Sequence, residues 1–190
     1  GTGTTLIRTA FVNSGALEVQ SGTVSFQGSG THSGSINVSS GAVLDLASGT
    51  QELSSVSASS SLGRIRVSGA TVAETGTLAT GGDLEVTSGA LTVNGGGTVS
   101  ISGQTTLTGG QMTGTGTLVA SGGLSIDGGG IGLDQGWVLE NRATGTWTAG
   151  NINLNPNNTP NAAAGVLRNA SGAVLQTNFD GSLFTRNYFN

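Results

Sequence analysis

Glycine returns along this chain at an almost fixed interval, and that interval limits the fold more than any other feature. A small residue followed by Gly occurs at Ser29-Gly30, Ser48-Gly49, Ser68-Gly69, Ser88-Gly89, Gly109-Gly110, Gly129-Gly130, Ala149-Gly150 and Ser171-Gly172. The steps between the second glycines are 19, 20, 20, 21, 20, 20 and 22 residues. The flanking text repeats too: Thr75-Gly76-Thr77-Leu78 returns two periods later as Thr115-Gly116-Thr117-Leu118. A constant period of this size is the mark of a repeat architecture.

A finer spacing lies inside the larger one. From Gly69 through Gly76, Gly82, Gly89, Gly96 and Gly103 to Gly110 the glycines stand 6 or 7 residues apart. Between them sit apolar residues at period 2: Leu84 and Val86, Leu91 and Val93, Val99 and Ile101. Period 2 marks a strand with one buried face, and Gly supplies the sharp corner between strands. Three short strands and three corners per 20 residues predict an all-β parallel β-helix, or β-solenoid, of three-strand coils. Right-handed winding is expected, because left-handed coils usually follow a stricter six-residue repeat. About nine coils, each rising roughly 4.8 Å, give a rod of roughly 45 Å. The competing architecture is an antiparallel sandwich of hairpins, which has no need of a constant register.

Composition narrows the choice. Of 190 residues 35 are Gly, yet 35% are hydrophobic and only 8% charged, for a net charge of −4. Disordered chains combine few apolar residues with high net charge, so a folded chain of tight turns is the better reading. All six basic residues are arginines, Arg8, Arg64, Arg66, Arg142, Arg168 and Arg186, and they are scattered. A nucleic-acid surface needs clustered cations, so no nucleic-acid partner is expected. No apolar run approaches the 20 or so residues of a membrane span. There is no Cys, hence no disulfide or thiolate site. The chain opens on Gly, with no signal peptide visible, and reads as an excised or processed piece.

Aligning coils tests the register. Leu44-Asp45-Leu46, Ile65-Arg66-Val67 and Leu84-Glu85-Val86 superimpose, so Asp45, Arg66 and Glu85 form a column of alternating sign. Arg64 likewise falls opposite Asp83. Neighbouring opposite charges favour a register, like charges oppose it.

One segment breaks the rhythm. Asn155-Pro156-Asn157-Asn158-Thr159-Pro160-Asn161 holds both prolines, which cannot serve an interior ladder, so residues 155–165 read as an exposed loop. The strand pattern resumes at Val166 and Leu167. Residues 1–190 are otherwise read as a single segment, one unit of a longer array or filament. The two ends rhyme: Phe11-Val12-Asn13-Ser14-Gly15-Ala16-Leu17 is echoed from Val166 to Val174 and again at Phe189-Asn190. No amphipathic helix caps either end, so continuation by neighbouring repeats or by separate copies is expected.

The stretch from Phe11 to Phe26, FVNSGALEVQSGTVSF, resembles the repeated text of giant tandem-repeat bacterial surface proteins. Gly30-Thr31-His32-Ser33-Gly34-Ser35-Ile36 and Gly110-Gln111-Met112-Thr113-Gly114-Thr115-Gly116-Thr117-Leu118 resemble its continuation. These proteins are similar in style to adhesin-like and filamentous-haemagglutinin-like β-solenoids. The resemblance implies export, an extended rod, and a place at the cell surface or in extracellular fibres. It implies no catalytic residue.

Candidate chemistry is sparse. Catalytic β-helices acting on polysaccharides need clustered carboxylates; here only Asp83 and Glu85 group tightly, and Arg64 and Arg66 neutralise them. Gly129-Gly130-Ile131-Gly132-Leu133-Asp134 matches the start of a calcium-binding nonapeptide, but Gly136 stands where that motif needs an apolar residue, and no tandem copy follows. His32 is the lone histidine and reads as a surface or corner residue. Neither a metal nor a cofactor is expected. Trp137, Trp147 and Tyr188 are candidates for stacking on a glycan, with core packing the alternative. Thr-x-Thr units at Thr75/Thr77, Thr113/Thr115/Thr117 and Thr144/Thr146/Thr148 do not recur in every coil, as an ice-ordering face would require. The leading expectation is a non-enzymatic structural rod that stacks end to end. The alternative is an adhesin segment binding a glycan or surface protein through a lateral face.

Overall fold

The computed structural model describes residues 2–54, 57–58, 62–158 and 162–185. It is all β, a stack of coils of about 21 residues. Three faces run the length of the stack. The first is a sheet of nine strands, from Thr4–Ile7 through Thr23–Phe26, Val43–Leu46 and Arg64–Val67 to Thr144–Ala149 and Val174–Thr177. The second also has nine, from Phe11–Asn13 to Leu183–Phe184. The third opens with Ala16–Val19 paired to Ser35–Val38, and continues alongside in six strands from Ser57–Ala58 to Val166–Asn169. Every ladder among the described residues is parallel and joins one coil to the next. An antiparallel sandwich is thereby excluded. No helix among these residues is long and apolar enough to cross a membrane.

The period-2 pattern dictates what each strand buries. Inward columns are apolar and run from coil to coil: Leu46, Val67, Val86 and Leu107 on the first face, Val72, Leu91, Met112 and Leu133 on the second, Leu78, Val99, Leu118 and Leu139 on the third. Together they make one continuous core. Each fully buried Leu or Val contributes about 1.5–3 kcal/mol, so removing one is felt by the coils on both sides.

The corners explain the glycine period. A side chain at Gly82 would collide with the carbonyl of Gly63 in the coil before it, and one at Gly103 with the carbonyl of Gly82. These glycines stack because successive main chains pass too close for a Cβ. Other corners are tight turns. Trp137 N–H donates to Asp134 O at 3.2 Å across Gln135 and Gly136, whose φ values are 59° and 85°. Two successive residues with positive φ make a type I′ turn, and Gly suits its second position.

The period holds until the last coil. Thr98 pairs with Thr117 and Thr117 with Val138, but Val138 pairs with Val166. The extra length is the loop that the prolines mark. It is not wholly exposed: Asn155 and Gly165 at its ends are buried, and Gly165 N–H donates to Leu154 O at 2.6 Å. Pro156 lies over Gly132, while Asn157, Ala163 and Ala164 are exposed. A second, shorter insertion before Leu183–Phe184 carries Phe179 back onto Trp147, edge to face, with ring centroids 5.4 Å apart.

Candidate functional site

On the outer side of the first face, Arg64 and Arg66 pair with Asp83 and Glu85. The register sets Arg66 between Asp45 and Glu85, and Arg64 opposite Asp83. Arg66 Nε donates to Glu85 Oε2 at 3.0 Å, and Arg64 Nη1 reaches the same oxygen at 3.3 Å. Arg64 Nη2 stands 3.9 Å from Asp83 Oδ2. Asp45 takes the hydroxyls of Ser25 (3.0 Å) and Ser68 (2.7 Å). Serine and arginine donors thus hold the ladder's carboxylates, an arrangement that fixes register.

A second charge cluster was not foreseen. Glu140 is buried and accepts hydrogen bonds from Arg142 Nε and, at 2.8 Å, from Arg168 Nη1 of the next coil. The two guanidinium groups hold its carboxyl below the ordinary carboxylate range. Its signal, Glu140 over Arg168, emerges only when the inserted loop is skipped in the alignment.

His32 lies in the core, not at a corner or on the surface. It is fully buried in a cluster with Phe11 and Phe26, its ring centroid 5.3 Å from that of Phe26. Gln51 explains how a polar ring is accommodated there. Its Nε2 donates to Gly28 O at 2.6 Å and Ser48 O at 3.2 Å, which turns its Oε1 toward His32 Nε2, 3.1 Å away. The proton therefore sits on Nε2, and Nδ1 is left without a partner. Burial lowers the pKa of the ring.

The aromatic candidates for glycan stacking are placed differently from that expectation. Trp137 has 0% exposure and Trp147 9%, so neither can lie against a sugar. Trp137 follows its turn directly into the core. Trp147 falls opposite Ile126 in an inward column, and a bulge one residue later lets its Nε1 donate to Ala149 O and Gly150 O at 3.2 and 3.1 Å. Tyr188 lies outside the described residues. Asp134, the end of the calcium-like stretch, is buried and caps its own turn by accepting Gln135 N–H at 2.9 Å. Among the described residues no three His, Asp or Glu side chains converge as metal ligands. Thr77, Thr98 and Thr117 do stack in one outward column, which Val138 ends.

A cleft of about 410 Å³ opens on the second face, between the sheet and the inserted loop. Gly110, Gly129, Gly130 and Gly132 leave its floor as bare main chain; Gln111, Asn151, Asn153, Pro156 and Phe184 rise around it. Asn157 of the loop and Gln111 of the sheet face each other as a loose amide pair, 3.5 Å apart on both sides. Among the described residues no ionisable side chain lines it. Sequence reading missed this concavity because its lining comes from four successive coils and a loop. The chain matches no protein-family model, no curated protein and no solved structure.

Proposed function

We propose that this chain is a rigid, non-catalytic rod segment of a secreted bacterial surface protein, and that it continues end to end through its terminal coils. A β-solenoid fits a structural or adhesin-like repeat segment. The observation that carries the end-to-end reading is the opening of interior columns at the ends of the stack. Ile131, Ile152 and Leu183 occupy one inward column; the first two are 3% and 0% exposed, Leu183 is 48% exposed. Ile7, Phe11 and Leu17 in the first coil, and Leu167 and Leu175 in the last, are likewise only partly covered. Outward positions follow the same trend: Val12 is 73% exposed where the next coils carry Thr31 and Glu52. Apolar ends and unpaired strand edges favour pairing with further coils. The likeness of the Phe11–Phe26 text to exported repeat proteins supports a place outside the cell.

The test is particle length against concentration. Purified chain imaged by negative stain over a wide concentration range is expected to give rods of constant width that lengthen as concentration rises. Rods of one short length at every concentration overturn the end-to-end reading.

A further inference from the structure

We infer that the cleft between the second face and the inserted loop binds a neutral oligosaccharide. This goes beyond the rod reading and does not depend on elongation. The first reason is how the amides are set. Asn151 Oδ1 accepts Ser182 N–H at 3.0 Å, and Asn153 Oδ1 accepts Asn155 N–H at 3.1 Å. With each oxygen held by main chain, planarity turns each NH₂ group away from it, and neither NH₂ has an acceptor among the described residues. Two oriented amide donors therefore stand beside the cleft, and Gln111, loosely paired at 3.5 Å, adds both a donor and an acceptor. Sugar hydroxyls donate and accept in turn, which such a set satisfies.

The second reason is the surface between the amides. Phe184 is half-buried and lines the cleft, as does Pro156, and its ring offers an apolar patch for the C–H face of a pyranose. The floor is low: a Cβ at Gly129 would meet nothing within 4 Å, and one at Gly130 only Asn151 O at 3.7 Å. The volume falls in the range of about 300–1,000 Å³ of small-ligand sites.

The same chemistry selects against other ligands. Phosphates, sulfates and uronates call for a cation, and the described lining residues include none. An extended peptide added to a sheet needs a free strand edge. Here the cleft lies over the face of paired strands: Gly132 N–H already donates to Gly110 O at 3.1 Å, and Ile131 N–H to Asn151 O at 2.9 Å.

The test is affinity electrophoresis of the full chain through gels cast with neutral polysaccharides, namely a β-glucan, a mannan and a galactan, with polygalacturonate as the charged control. An array of neutral oligosaccharides, printed beside sialylated and sulfated ones, is run in parallel. Retardation or array signal on at least one neutral glycan is expected. Phe184→Ala and Asn153→Ala should each weaken it about tenfold. Gly129→Phe fills the open floor without touching the core, and should abolish binding while the β signature by circular dichroism and the melting midpoint stay put. Three outcomes overturn the inference: no neutral glycan retained, retention unchanged by Gly129→Phe, or capture of charged glycans only. None of them touches rod length, so the site and the rod reading fail separately.

Discussion

At the scale of single residues, the polar groups inside the core set the sensitivities. His32 is held neutral by burial, and its pKa lies below the ordinary value of 6.5. The unfolded chain therefore takes up a proton at His32 that the folded chain refuses. The sign follows: this part of the stability is fully present above about pH 6.5 and is lost as pH falls toward the lowered folded value. Chemical denaturation of the wild type is expected to show a falling midpoint from about pH 7 to 5. His32→Leu should flatten that slope, whatever it does to the midpoint itself; an equal slope in the variant would remove His32 as the cause. Glu140 has a linkage of the same sign, set at lower pH. Its depressed pKa contributes stability above the ordinary 4.5, lost as pH falls further, so the two effects occupy separate windows. Gly30 serves the same polar pair. A Cβ there would stand 2.7 Å from both Gln51 Oε1 and His32 Nε2, so Gly30→Ala is expected to cost about 1–3 kcal/mol of unfolding free energy.

At the scale of strands and corners, the coil-to-coil spacing decides which glycines matter. Gly34 and Gly15 sit in one corner column. A Cβ at Gly34 would collide with the carbonyl and amide of Gly15, whereas one at Gly15 meets nothing within 4 Å. Gly34→Ala should therefore lower stability by roughly 3 kcal/mol, and Gly15→Ala by less than about 1 kcal/mol, read as a difference in denaturation midpoints. Similar losses at both sites would mean that local flexibility, not the packing of one coil on another, sets the cost. The outer ion pairs are worth less. Arg66 and Glu85 are partly exposed, so a double-mutant cycle between them should return about 0–1 kcal/mol, smaller at high salt. Their contribution is to discourage a slipped register, in which like charges would meet.

At the scale of the whole molecule, every strand bonds only to the coils above and below it, so stability accumulates along one axis. Middle coils have two neighbours and end coils one. Amide hydrogen exchange should be slowest in strands such as Thr98–Ile101 and Thr117–Ala120, and fastest in Thr4–Ile7 and Leu183–Phe184. Uniform protection would show that the ends are as firmly held as the middle. The same geometry separates roles by direction. Among the described residues the end coils hold core positions that are only partly covered, and the proposed continuation along the axis rests on them. Along the sides the strands are already paired to the coils above and below, so a lateral site depends on side chains and on the relief that an inserted loop provides.

The architecture was legible in the sequence because a stacked coil repeats one local decision. Gly at the corners and apolar residues at every second position between them give period, strand direction and register together, and Arg66 over Asp45 and under Glu85 followed from alignment alone. The prolines likewise marked the point where the period lengthens. What stayed hidden depends on neighbours that periodicity does not name. His32 takes a core position because Gln51, one coil on, presents an oxygen to it and Gly30 leaves it room. Trp137 and Trp147 turn inward through a type I′ corner and a bulge, which depend on backbone angles and ladder register. The cleft forms where a loop folds back over a face, bringing together Gln111, Asn153 and Phe184, residues that no period connects. Periodic text thus determined the scaffold, since each coil meets the same surroundings as the last; only the tertiary structure decided the sites, which arise where those surroundings change.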